Sequence, residues 1–308
     1  MDLWLKLSIY THYMPHYSNS TIEQLVARCR ARQWREPLIL DDSQSSDDDL
    51  QNLASERDVQ SLSSLSLGHV PVSDEGLKHL VGITSLTSLF LASTQVTDVG
   101  LEFLSGLNLT SLYLLAAGVT DDGLKHLRKL ISLVTLNLAA GKVTDSGLRY
   151  LAGLTSLSNL HLATEKVTDS GLCHLAGLAC LSTLSLSQSP VSDQGLKHLA
   201  GLKLLSTLHL DYTQVTGTGL THLADLPLAL LFLNFAPVTD VGVNCIADLK
   251  QLTTLSLVDC IRVTDLSPLR RLLPPIGELR TLFLRGCVGL PSGIRYEDDA
   301  AKILAQKL

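Results

Sequence analysis

Apolar residues recur along this chain at two alternating periods. One stretch reads L-x-x-L-x-L, with apolar and variable positions alternating as in a half-buried strand. The next reads V-T-D-x-G-L-x-x-L-x-x-L, with leucines three apart, a helical spacing. The pair recurs as LTSLFLASTQVTDVGLEFL from Leu86, LVTLNLAAGKVTDSGLRYL from Leu133, LSNLHLATEKVTDSGLCHL from Leu157 and LSTLSLSQSPVSDQGLKHL from Leu181. The middle strand leucines Leu136, Leu160, Leu184 and Leu208 are spaced by 24 residues. Further units centre on Leu65, Leu89, Leu112, Leu231, Leu255 and Leu282. A degenerate eleventh begins at Leu38, where Leu38, Leu40, Ser43, Ser46, Asp47 and Leu50 overlay Leu89, Leu91, Thr94, Thr97, Asp98 and Leu101. It is expected to be a partly solvated first turn.

One such unit cannot bury its own leucines. Stacked neighbours bury them as a continuous ladder, with parallel strands on one side and helices on the other. The Thr-Asp pair before each helical stretch offers side-chain oxygens to orphan helix N–H groups and negative charge to the dipole. The column Asp74, Asp98, Asp121, Asp145, Asp169, Asp193, Asp240 and Asp265, broken by Gly217, is therefore expected to cap helices. A segment from Ser20 with Ile22, Leu25, Val26 and Cys29 on one face predicts an N-terminal capping helix within residues 1–37. The array runs over 38–290 as about eleven repeats. The stretch 291–308, acidic at its start and ending near Lys307, predicts a C-terminal helical cap.

From Leu38 to Leu290 the chain resembles the leucine-rich-repeat superfamily, and its V-T-D-x-G-L flavour is similar to the F-box-associated, cysteine-containing repeats. The resemblance implies an α/β fold: a right-handed leucine-rich-repeat solenoid curved as a horseshoe, with a parallel β-sheet on the concave face and helices on the convex face. The family's usual asparagine after the strand is replaced by Thr94, Ala117, Gly141, Glu165, Ser189, Thr213, Ala236, Cys260 and Cys287. Hydroxyls and thiols can take over part of its hydrogen bonding; Ala117, Gly141 and Ala236 cannot.

The variable strand positions form two columns on the concave face. The first holds Ser66, Phe90, Tyr113, Asn137, His161, Ser185, His209, Phe232, Ser256 and Phe283. Two residues on, Asp211, Asn234 and Arg285 stand among mostly small or apolar neighbours. Aromatics with sparse charge fit a protein-binding patch. The expected contact residues are Phe90, Tyr113, His161, His209, Asp211, Tyr212, Phe232, Asn234, Phe235 and Phe283, with the centre of binding at His209, Asp211, Tyr212, Phe232, Asn234 and Phe235. Histidines at 79, 126, 174, 198 and 222 repeat at one helical place that also takes Phe103, Tyr150 and Cys245, so they are read as packing residues.

A formal net charge of −6 argues against nucleic acid as the main partner. The N-terminal stretch lacks a signal-peptide pattern, and no segment has the ~18 apolar residues of a membrane span. Six cysteines without a paired framework at the ends of the array favour a reducing, cytoplasmic home. Phosphate-loop, nucleophile-elbow and zincin motifs are missing. The expectation is a monomeric, non-catalytic protein–protein interaction scaffold with neither cofactor nor metal. The alternatives are a substrate-recognition subunit of a ubiquitin ligase, implied by the F-box resemblance, and an enzyme inhibitor or effector. The acidic run from Asp41 to Asp49, with Ser45 and Ser46, is expected to be a solvated loop.

Overall fold

The computed structural model describes residues 22–31, 33, 37–41 and 45–290. Eleven short strands follow one another in a single parallel sheet, each paired with its sequence neighbours. They are β1 (Leu38–Ile39), β2 (Ser64–Ser66), β3 (Ser88–Phe90), β4 (Ser111–Tyr113), β5 (Thr135–Asn137) and β6 (Asn159–His161). Then come β7 (Thr183–Ser185), β8 (Thr207–His209), β9 (Leu230–Phe232), β10 (Thr254–Ser256) and β11 (Thr281–Phe283). The expected solenoid is what forms. Each strand from β2 to β11 is a variable–leucine–variable triplet, and register aligns every central leucine, as in Leu160↔Leu184 and Leu184↔Leu208. These leucines are fully buried in one continuous core. Burying each is worth roughly 2 kcal/mol.

The opposite layer departs from simple α-helices. Seven-residue helices span Asp74–Leu80, Asp98–Leu104, Asp121–Leu127 and Asp240–Ile246. The middle repeats are tighter: Asp145–Leu148 and Asp193–Leu196 each run into a 3₁₀ turn, and Gly171–Leu175 and Thr218–Leu223 are 3₁₀ throughout. Leucines three apart suit this winding, since a 3₁₀ turn holds three residues.

The aspartate column does something other than capping. At Ser73, Thr97, Thr120, Thr144, Ser192 and Thr239 the hydroxyl residue before the aspartate is the N-cap; Thr97 Oγ1 accepts the Val99 N–H and Ser192 Oγ the Gln194 N–H. The aspartate itself reaches the following repeat. Asp98 accepts the Thr120 N–H at 2.7 Å and the Thr120 hydroxyl at 2.6 Å. The same two bonds join Asp74 to Thr97, Asp121 to Thr144, Asp145 to Thr168, Asp169 to Ser192 and Asp240 to Thr264. The expectation of capping is thus corrected: the place is spent on a clamp between repeats, because the preceding hydroxyl already serves the helix. Asp265 instead stays within its own repeat, accepting the Ser267 N–H at 2.8 Å.

The clamp explains the repeat glycine. A Cβ at Gly100, Gly123, Gly147, Gly171 or Gly195 would strike the clamping carboxylate of the preceding repeat. Where Gly217 interrupts the column, the next repeat closes in directly. Gly217 sits at φ +98°, and Gly242 packs against Thr216 O and Gly217 Cα. The Thr239 N–H donates to Thr216 O in place of the missing carboxylate.

The degenerate first repeat obeys the same grammar. Leu38 pairs in register with Leu65, and Leu38, Leu40 and Leu50 are fully buried rather than partly solvated. Asp47 accepts the Ser73 N–H at 2.9 Å. The acidic run is not a solvated loop where it is described. Ser45 is buried, and Ser46 caps a helix over Asp47–Ala54, with Asp49 accepting the Ser46 N–H at 2.8 Å. Three acids in a first turn are favoured by the helix dipole. Ser43 lies outside the described residues. Before the array, a helix spans Ile22–Ala31 with Val26 and Cys29 buried in the core. The side chains of Ile22 and Leu25, and the expected cap over 291–308, lie outside the described residues.

In the turn after each strand, Thr94 and Thr213 donate to carbonyls of their own repeat, at Leu91 and Leu210. Ser189, Cys260 and Cys287 donate to Leu162, Leu233 and Leu257 of the preceding repeat. Glu165 does not hold the expected place. It is exposed, and Thr164 turns inward beside Gly141 and Val143 carbonyls instead.

Candidate functional site

The sheet presents its first variable column outward, in the expected order. Register joins Phe90↔Tyr113, Asn137↔His161, His161↔Ser185, Ser185↔His209, His209↔Phe232 and Ser256↔Phe283. Strands lie about 4.8 Å apart, so flat side chains on neighbours meet face to face. Phe90 stacks on Tyr113 with ring centres 4.2 Å apart, and His209 on Phe232 at 4.5 Å. Sequence reasoning missed how far this column is covered. Asn137, His161, Ser185, Phe232 and Ser256 are buried, while Phe90, Tyr113, His209 and Phe283 keep only partial exposure.

Among the described residues the most accessible aromatics sit elsewhere. Tyr212 and Phe235 are expected beside the sheet columns, on adjacent strands; they lie instead in the turns that follow β8 and β9. Both have left-handed backbones, φ 57° and 59°. Their rings stack at 4.3 Å, and they remain 54% and 45% exposed. Bulky residues at positive φ are uncommon and carry about 1–2 kcal/mol of strain. Other repeats place His69, Ser93, Ala116, Ala140, Gln188 or Asp259 at this turn, so the left-handed backbone is part of the repeat and the two stacked rings are what sets β8 and β9 apart.

Between the two aromatic stacks lie Asp211 and Asn234. Asp211 Oδ1 accepts the Asn234 N–H at 2.8 Å, and its Oδ2 is 3.4 Å from Ser187 Oγ. Asn234 Oδ1 accepts the Ser256 hydroxyl at 2.5 Å and the Val258 N–H at 2.9 Å. Burial pushes the Asp211 carboxyl above the usual range, against the pull of these hydrogen bonds. Burial holds both His161 and His209 at about 4, with the nearby His161 imidazole adding to the effect on His209. Both imidazoles are therefore neutral at pH 7. His209 Nδ1 is 4.0 Å from Asp211 Oδ2, beyond hydrogen-bond range. His161 Nε2 is buried without a hydrogen-bond partner.

The structure thus brings together His209, Asp211, Tyr212, Phe232, Asn234 and Phe235, with His161 one strand beyond Ser185. Phe90 and Tyr113 form a separate pair toward the N-terminal end, and Phe283 stands alone on β11. The histidines at 79, 126, 174 and 198 are half-buried on the other layer, and His222 is exposed. Among the described residues no group of three or more histidines, cysteines or acids could hold a metal ion, and no helix is long and apolar enough to cross a membrane.

A sequence profile described as "Leucine Rich repeat" matches residues 82–105. A search of curated protein sequences finds no match. Among solved structures, an internalin (inlF) from Listeria monocytogenes aligns over 76% of this chain and 69% of its own, at 26% identity and a TM-score of 0.59. An internalin C2 from the same organism aligns over 69% of this chain and 92% of its own, at 26% identity and a TM-score of 0.54. A plant peptide hormone receptor, RGFR1 in complex with RGF2, aligns over 75% of this chain and 43% of its own, at 16% identity and a TM-score of 0.47. None of these bears on the F-box-associated type. The repeat grammar, the eleven-stranded open sheet and the likeness to the internalins show a leucine-rich-repeat fold.

Proposed function

We propose that this protein is a non-catalytic scaffold that binds a protein partner on the outward face of its sheet, centred on β8 and β9. The observation that carries this reading is the Tyr212–Phe235 pair: two stacked aromatics, half-exposed, on backbone that bulky side chains avoid. Strain of this kind persists where surrounding structure imposes it, and it clusters at ligand-contacting places. Rigid aromatics beside satisfied polar groups are also the composition of binding hot spots. The 4.0 Å gap between neutral His209 and Asp211 supports a contact role over general-base chemistry. A reducing, cytoplasmic setting and a monomeric state belong to the same proposal. Its support is that Cys260 and Cys287 serve as thiol donors to backbone carbonyls.

Site-specific photo-cross-linking in cells tests it. A photoreactive phenylalanine replaces Tyr212 in one variant and Ile131, exposed in the turn before β5, in another. A discrete adduct from position 212 that is missing from position 131 supports the reading. The same adducts from both positions, or none from 212, overturn it.

A further inference from the structure

The stacking leaves a one-sided arrangement over β7. Phe232 covers one face of the His209 ring, and Phe235 covers one face of the Tyr212 ring. Both partners lie on the β9 side, so the open faces of His209 and Tyr212 look toward β7. On that strand stands Ser185, followed in the chain by Ser187. Asp211 Oδ2 is also turned this way, toward Ser187 Oγ at 3.4 Å. On the far side of β7, His161 stands on β6. It is separated from His209 by two strand spacings, about 9–10 Å. The result is a shallow slot over buried Ser185 and half-buried Ser187, between His161 on one side and the His209 and Tyr212 rings on the other, with the Asp211 carboxylate at one corner.

The charges in the slot are unbalanced. The carboxylate of Asp211 is largely withdrawn from water, with 19% of its side chain exposed. Among the described residues it has no lysine or arginine within ion-pair distance, and its one histidine neighbour is held neutral. A carboxylate so placed costs free energy until a cation arrives.

We propose that this slot seats an arginine side chain of the partner, with its guanidinium on Asp211 beside the open faces of His209 and Tyr212. The inference rests on the scaffold reading above and names the chemistry of its partner. Arginine fits where lysine does not. The guanidinium is flat, stacks on rings, gives up water more readily than an ammonium, and presents donors to two acceptors at once. Over β7 the neighbouring column is too small to obstruct it.

Random linear peptides displayed on phage and selected on the full chain supply the probe. The recovered sequences are expected to share an arginine. Its replacement by citrulline, which keeps the shape and loses the charge, should weaken binding at least tenfold. Asp211→Asn should weaken the same peptide comparably while leaving Tm at pH 7 unchanged or higher, since it removes a charge the fold does not pair. Clones without a shared arginine, citrulline versions that bind within about twofold, or no binders at all overturn the arginine seat. Peptides that bind normally to Asp211→Asn but fail on Tyr212→Ala overturn the seat and leave the scaffold reading standing. Peptides indifferent to both substitutions sink both. A dimer of the chain that Asp211→Asn dissolves would make the occupant a second copy and overturn the separate partner.

Discussion

Asp98 grips Thr120 of the following repeat with both carboxylate oxygens, one on the backbone N–H and one on the hydroxyl. The Thr120 hydroxyl oxygen in turn accepts the Asp122 N–H, so one side chain joins two repeats and starts a helix. Gly123 completes the joint by leaving room for the carboxylate. Aspartate, hydroxyl and glycine are thus one device distributed over neighbouring repeats.

This coupling is measurable. Asp98→Ala and Gly123→Ala should each cost about 2 kcal/mol, the first through lost charge-assisted hydrogen bonds and the second through overpacking. The double variant should cost about 1 kcal/mol less than the sum, because the added methyl then meets no carboxylate. Urea denaturation of the four proteins checks this; strict additivity would deny the shared joint.

The break in the column yields an opposite expectation. Gly217→Asp restores the repeating residue in sequence, yet it should destabilise by about 2 kcal/mol or more. Position 217 has φ +98°, and a Cβ there would lie 2.7 Å from Gly242 Cα. Thermal unfolding would show a lower Tm for the variant, whereas a gain in Tm would mean that the close approach of the two glycines is not a constraint.

Acid should weaken the fold through two buried histidines. His161 and His209 titrate near 4 in the folded chain against an ordinary 6.5. The folded pKa is depressed, so the stability they hold is present above about pH 6.5 and is lost as pH falls toward 4. Each accounts for up to ~3 kcal/mol over that window. Asp211 runs the other way, since its raised pKa favours the fold when it is protonated. Denaturation midpoints between pH 7 and pH 4 should fall less steeply in His161→Gln; an unchanged slope would place that imidazole in water.

Binding and stability should separate at the exposed pair. Tyr212→Asn and Phe235→Asn lose a ring stack worth about 0.5–1.5 kcal/mol and relieve a left-handed backbone that asparagine tolerates. The net change in stability should stay within about 1 kcal/mol. By contrast Leu208→Ala, in the fully buried ladder, should cost about 3 kcal/mol. Loss of partner binding in the asparagine variants with unchanged Tm is the expected outcome. A collapse of Tm would assign the two rings to the core instead.

Much of this molecule was legible before any coordinates. The leucine period located ten strands and the first column of outward residues, because a triplet with one buried leucine has only one way to face. The degenerate repeat at Leu38 was found by overlay, and its depth of burial was not, since solvation depends on what the preceding helix covers. The aspartates were legible as a column but not as clamps: a Thr-Asp pair looks like a cap whether the carboxylate turns to its own helix or to the next. Glu165 and Thr164 traded places because a turn can rotate one residue without altering the period.

Sequence alone determined the solenoid, its repeat length, its core and the chemistry of its outward column, because each follows from local spacing. Tertiary structure decided which of those side chains a partner can reach. Stacking on His209 buries Phe232 against its own column and His161 is buried on the same face, while a left-handed turn lifts Tyr212 and Phe235 into solvent. That difference comes from contacts between residues a full repeat apart, and no local pattern along the chain encodes it.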